Sequence, residues 1–170
     1  WLTPTHYMGL QWNRMLDTGG FKEFRLAQRD IYYFCLAVII DPRAVGILFL
    51  KGRRTGFTEV ILDHFEDFST STKNALFGIT SKTENDAISV FLKYSHCIQN
   101  LPFFFVPVVK GKIDDVKKMV FGKPSDNTKA SKLLKDTSTK DYLNTLVDFR
   151  ATATLAYDSN KLTMYLSDES

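Results

Sequence analysis

Gly46-Ile-Leu-Phe-Leu-Lys51-Gly-Arg-Arg-Thr-Gly56-Phe57-Thr58 is the stretch on which the fold turns. Its first five residues are a continuous apolar run, the pattern of a strand buried on both faces of a parallel sheet. A short basic loop with two glycines follows. From Phe57 onward apolar residues return at intervals of three and four, at Val60, Ile61, Phe65 and Phe68, which predicts an amphipathic helix over 57–68. Strand, loop and helix in that order predict an α/β chain with a parallel sheet.

The flanking sequence extends this pattern. Upstream, Gln28 to Ile40 is apolar nearly all round, which predicts a buried helix, and Asp41-Pro42 ends it because proline disfavours helical geometry in the residue before it. Downstream, Ala75-Leu-Phe-Gly-Ile79 predicts a second buried strand. Ser81 followed by Glu84 fits a capping box, and Ala87, Val90, Phe91, Tyr94 and Ile98 continue at helical spacing. From Lys110 to Lys135 the chain carries eight lysines with little apolar periodicity, the pattern of an exposed basic insertion. Leu143 to Tyr157 and Leu162 to Ser167 are rich in β-formers, and Asp158-Ser-Asn-Lys161 between them predicts a hairpin turn.

Composition bounds the class. The chain has 170 residues, with 44% hydrophobic, 24% charged and 14% aromatic residues. These values exclude a disordered chain or a collagen-like repeat and fit one domain. A formal net charge of +3 is too mild to mark a nucleic-acid binder by itself. Cys35 and Cys97 form no Cys-x-x-Cys pair, so neither a disulfide framework nor a zinc site is expected, and both read as reduced core residues. The longest apolar run, Ile31 to Ile40, is half the length of a membrane-spanning helix, which needs about 20 residues; a chain without membrane contact is expected. It opens on Trp1 and stops at Asp168-Glu-Ser170, which reads as a piece cut from a longer protein.

The loop carries the first chemistry. The strict phosphate-binding pattern G-x-x-x-x-G-K-[ST] is absent, because Phe57 stands where its lysine belongs. The physical requirements can be met another way. Backbone N–H groups of a glycine-containing turn and of a helix N-terminus favour an anion. Lys51 at the mouth of the loop could bring positive charge to the phosphates, and Thr58 could ligate Mg²⁺. Arg53 and Arg54 could stabilise phosphoryl transfer. The plain alternative is a solvated basic turn.

Asp168 and Glu169 carry the second. They close a run of β-formers, as an acid that holds a metal shell and a neighbouring base that polarises water would. Surface acids also close strands commonly. Both motifs fall at expected carboxyl ends of strands, where parallel sheets bind ligands. A third feature is Arg25-Leu-Ala-Gln28-Arg29; a glutamine amide can pair with both N6 and N7 of adenine, although it also suits an ordinary polar helix start.

Taken in order, Lys51-Gly52-Arg53-Arg54-Thr55-Gly56-Phe57-Thr58 resembles the deviant Walker A loop of large terminase subunits of tailed bacteriophages. Gly78-Ile-Thr-Ser-Lys-Thr83, Leu101-Pro-Phe-Phe-Phe-Val-Pro107 and the run from Ala156 to Ser170 resemble later segments of that family, and Arg25-x-x-Gln28-Arg29 is similar to its adenine motif. The resemblance covers residues 24 to 170, leaving 1–24 as a lead segment. It implies a partial P-loop NTPase of the RecA/ASCE-like type over 25–170, a parallel sheet flanked by helices and truncated after the Walker B strand, with an insertion and a hairpin within 110–160 and with no nuclease domain in this chain. It implies an ATPase driving double-stranded DNA into a procapsid in the host cytoplasm, with portal protein and small terminase subunit as partners and a homo-oligomeric ring. By that resemblance ATP is bound by Gln28 and by 51–58. Thr58 and Asp168 serve Mg²⁺, Arg53 is the arginine finger and Glu169 the catalytic base. Ser81 and Lys82 touch DNA. The isolated chain is expected to hydrolyse ATP poorly or not at all.

Other residues read as structural. His6, His64 and His96 lack metal-ligand spacing, Asp63 and Glu66-Asp67 read as the solvated face of the helix after the loop, and Phe103-Phe-Phe105 reads as core or domain interface. Two rival readings remain: a helicase-type DExx ATPase on DNA or RNA, which a second RecA-like domain would mark, and a nucleic-acid-binding domain that does not hydrolyse ATP.

Overall fold

β1 (Leu76–Ser81) runs through the middle of the molecule, and every other strand is placed by it or by its neighbour. It pairs in parallel with β3 (Thr145–Ala151), Leu76 opposite Leu146 and Ser81 opposite Ala151. On its other side it pairs in parallel with β4 (Met164–Asp168), Phe77 opposite Met164 and Ser81 opposite Asp168. β2 (Lys118–Phe121) adds to β3 in antiparallel fashion, giving the order β2-β3-β1-β4. The chain is therefore α/β, with a mixed sheet: three parallel strands and one antiparallel edge. The computed structural model describes residues 2–50, 55–111, 117–122, 142–152, 156–158 and 161–168.

Among the described residues four helices accompany the sheet: α1 (Pro4–Gln11), α2 (Leu26–Ile40), α3 (Phe57–Ser71) and α4 (Glu84–Asn100). α1 starts on Thr3, whose hydroxyl accepts from the His6 amide at 3.2 Å, with proline in its first turn, a favoured opening because proline lacks the N–H that would be unpaired there. α4 is capped by Thr83, which accepts from the Asp86 amide at 3.2 Å. This replaces the expected capping box of Ser81 and Glu84. Ser81 belongs to β1, so the cap falls two residues later, where the chain leaves the sheet.

α3 and α4 cover one face of the sheet. Phe77 and Ile79 alternate onto that face and are matched in register by Val147 and Phe149. Phe65 of α3 meets Phe77 at 5.7 Å between ring centroids, and Phe91 of α4 meets Phe149 at 5.2 Å. Phe65, Phe77, Ile79, Phe91, Tyr94 and Val147 are fully buried, and each such large side chain contributes about 1.5–3 kcal/mol on leaving water. No described helix is long and apolar enough to cross a membrane.

Several local expectations are corrected. Among the described residues the strand expected over Gly46–Leu50 does not form or pair; Leu48 and Leu50 are almost fully exposed, and Phe49 packs on Phe34 and Phe57, at 5.8 and 4.2 Å. A continuous apolar run signals a preference for burial but names no partner. The expected hairpin over 143–167 is absent, because β3 and β4 both run parallel to β1, which lies between them. Turn-forming residues mark a change of direction, not which strands pair. Within the basic segment, Lys118–Phe121 is a strand with Met119 and Phe121 buried; Lys112, Lys123, Lys129, Lys132 and Lys135 lie outside the described residues. α2 has the expected helical span, with Asp41 as its C-cap, but buries only Tyr32 and Cys35. Phe103, Phe104 and Phe105 are all exposed, so they are not core. Cys35 and Cys97 are free and buried, as expected.

Candidate functional site

The start of α3 and the end of β4 meet. Gly56, immediately before α3, takes a left-handed conformation at φ 71°, and a Cβ there would come within 2.6 Å of Gln28 Nε2. Glycine meets both demands, a positive φ and a close approach. The helix then begins with no side-chain cap. In its first turn Thr58 donates from Oγ1 to Asp168 Oδ2 at 2.8 Å, across 110 residues of sequence. Asp168 is held from behind as well, because Ser81 Oγ donates to its backbone carbonyl. The ends of β1 and β4 and the head of α3 thus converge at the carboxyl edge of the parallel strands, the usual ligand position in such sheets. A cleft of 230 Å³ opens there, lined by Thr58, Ser81, Asp86, Ser89, Lys93 and Asp168 among others.

The other expected site residues divide into four groups. Gln28 Nε2 donates to the Gly56 carbonyl at 3.3 Å, so the glutamine lies against the end of the loop. Phe57 packs its ring on Phe49 at 4.2 Å, and Thr55 is exposed. Lys51, Gly52, Arg53, Arg54 and Glu169 lie outside the described residues. Ser81 is buried with its hydroxyl turned to Asp168, a poor position for touching DNA, whereas Lys82 beside it is exposed. Among the described residues no group of three or more His, Cys, Asp or Glu side chains forms a metal cluster. One hydroxyl and one carboxylate suit an ion that retains most of its own water, as Mg²⁺ does.

Behind the first turn of α3 lies a polar cluster that corrects the reading of Asp63 and Glu66 as solvated: both are buried, at 1% and 0% exposure. The lead segment covers them. α1 crosses α3 so closely that a Cβ on Gly9 would overlap the Asp63 carboxylate. Asp63 accepts from Asn13 Nδ2 at 2.7 Å, from the Tyr32 hydroxyl and from Lys22 Nζ. Thr5 Oγ1 donates to Asp67 at 2.6 Å. Burial would lower the Lys22 ammonium, but the Asp63 charge and hydrogen bond leave it above the ordinary lysine value. Burial pushes Tyr32 up, and Asp63 adds to that. His6, stacked on Tyr32 at 4.1 Å, and His64 are lowered, first by burial.

Glu66 is the odd member. Both Glu66 carboxylate oxygens are buried with no hydrogen bond of good geometry among the described residues. Burial first, and the Asp63 charge second, push its carboxyl well above 4.5. The folded state therefore holds this proton more tightly than the unfolded chain does. Stability from Glu66 is complete below the unfolded value near 4.5 and declines as pH rises towards the folded value. Glu66→Met, of similar length without the charge, is expected to stabilise the chain by roughly 1–3 kcal/mol at neutral pH. It should also flatten the dependence on pH. Urea unfolding at pH 4, 6 and 8 measures both; an unchanged slope would contradict the assignment.

Sequence reasoning named Thr58 and Asp168 and did not single out Asp86, Ser89 and Lys93, which also line the cleft, or Glu59, which pairs with Lys93. No motif marks them, since they come from the sides of two helices whose packing decides what faces the cleft. Comparison with protein-family models and with curated proteins finds no match.

Proposed function

We propose that this chain is the nucleotide-binding part of an ATP-hydrolysing DNA-packaging motor of the large-terminase type. The observation that supports this most is the 2.8 Å hydrogen bond between Thr58 and Asp168. These are the two residues that the resemblance assigns to one Mg²⁺, and they come from motifs 110 residues apart in the chain. In this reading Thr58 and Asp168 hold the ion, which when bound neutralises charge developing on the phosphates. Lys51 and the backbone of 52–58 hold the triphosphate, and Gln28, already against Gly56, reads the adenine. Arg53 stabilises charge during transfer, and Glu169 orients the attacking water. Double-stranded DNA is the translocated polymer. The portal protein and the small terminase subunit are the partners, a ring of copies is the working assembly, and the host cytoplasm is the setting.

Calorimetric titration with ATP, with and without Mg²⁺, tests the reading. Binding that requires Mg²⁺ and weakens at least about tenfold in Lys51→Ala is expected, since one charge-assisted contact to phosphate is lost. No detectable binding, or binding indifferent to Lys51, would overturn it.

A further inference from the structure

A chain of charges runs beneath the first turn of α3 and ends in the cleft. Lys93, which lines the cleft from α4, reaches Glu59 Oε1 at 3.0 Å and Asp17 at 3.6 Å. From the opposite side Lys22 Nζ donates to the Glu59 backbone carbonyl at 3.1 Å and stands 3.8 Å from its carboxylate, while also bonding Asp63. Glu59 follows Thr58 in the first turn of α3, and its carboxylate turns to Lys93, which lines the cleft, and to Lys22. The Lys22, Glu59 and Lys93 side chains are 8%, 15% and 27% exposed, so solvent screens them only partly. Three carboxylates, Asp17, Glu59 and Asp63, face two ammoniums, so one negative charge is already in excess, and removing Lys93 leaves two in excess beside the cleft that Lys93 lines.

We infer that Lys93 and Lys22 are positioning residues that neutralise Glu59 and hold the first turn of α3, keeping the cleft receptive to a polyphosphate anion. Glu59 on its own would repel the phosphates. As an acid in a first helical turn it is favourable to the helix, and the lysines let it remain there without opposing the ligand. Lys93 also anchors α4 to the head of α3, which fixes the width of the cleft between Thr58 and the Asp86–Ser89 wall. The inference rests on the reading of the cleft as a nucleoside triphosphate site.

Calorimetry of ATP and ADP binding to the full chain, with Mg²⁺, separates the two. In Lys93→Met, ATP affinity is expected to fall roughly five- to tenfold and ADP affinity by less, because the repulsion scales with ligand charge. The loss should shrink as salt is raised. Adding Glu59→Gln to Lys93→Met should restore ATP binding, which repair of packing alone would not do. Glu59→Gln by itself should bind ATP as tightly as the unaltered chain or more tightly. It also serves as the test if Lys93→Met does not fold, as judged by circular dichroism. Unchanged ATP affinity in a folded Lys93→Met, no recovery in the double variant, or weakened binding in Glu59→Gln overturns the inference. If the unaltered chain binds ATP but Asp168→Asn does not weaken it, the triphosphate reading fails and this inference with it. If Asp168→Asn weakens binding and Lys93→Met does not, only the role of Lys93 fails.

Discussion

Asp63→Ala is expected to destabilise the chain by about 3–5 kcal/mol, the cost of removing one partner of a buried ion pair together with the acceptor of two further buried donors. Asp63 accepts from Asn13, Tyr32 and Lys22, donors from the lead segment and α2. Its removal leaves the Lys22 ammonium, whose side chain is 8% exposed, with the more distant Glu59 carboxylate at 3.8 Å, and unpairs a buried hydroxyl and a buried amide. For a chain of this size the loss corresponds to a fall in Tm of roughly 10–15 °C. Lys22→Met added to Asp63→Ala should recover part of it, because the weakly paired charge is then gone. Urea unfolding of the two single variants and the double completes a cycle. A loss below about 1 kcal/mol in Asp63→Ala would show that the cluster is hydrated and carries little of the fold.

In the working assembly Asp168→Asn is expected to lower ATP turnover at least about a hundredfold and to remove the dependence of ATP binding on Mg²⁺, since metal stabilisation of the reacting phosphates is worth several kcal/mol. The substitution is chosen for what it preserves. The asparagine carbonyl can still accept from Thr58, and the backbone carbonyl of residue 168 can still accept from Ser81. Stability should therefore change little, and a loss of activity would reflect the missing charge, not a collapsed site. Phosphate release and Mg²⁺ titration provide the readout in the protein as it functions. Turnover that survives the substitution would remove Asp168 from the metal shell and leave the motor reading without its main support.

The fold was legible where local periodicity and burial coincide. The spacing of Val60, Phe65 and Phe68 and that of Val90, Phe91 and Tyr94 located α3 and α4, and the run around Phe77 and Ile79 located β1. Pairing was not legible. β3 and β4 look like the arms of a hairpin because they are neighbours in sequence, yet both add to β1, whose two edges are the partners available for parallel pairing. Asp63 and Glu66 look solvated because charge on a helix usually marks its wet face; the covering element, α1, is separated from them by two other segments and carries no signal of its destination. The site shows the same division. Thr58 and Asp168, named because strand ends and helix heads are recurrent ligand positions, do meet in the structure. Glu59 and Lys93 were not named, since their meeting depends on how two helices cross.

The placement of β1 has a consequence for how the protein is made. Leu76 pairs with Leu146, and Phe77 with Met164, so the central strand is synthesised well before either of its flanking strands. At about 5–20 residues per second, the ribosome leaves it without neighbours for on the order of ten seconds. Throughout that interval Phe77 and Ile79 have only helices to shelter them, and the nascent chain presents an apolar segment of the kind that chaperones bind.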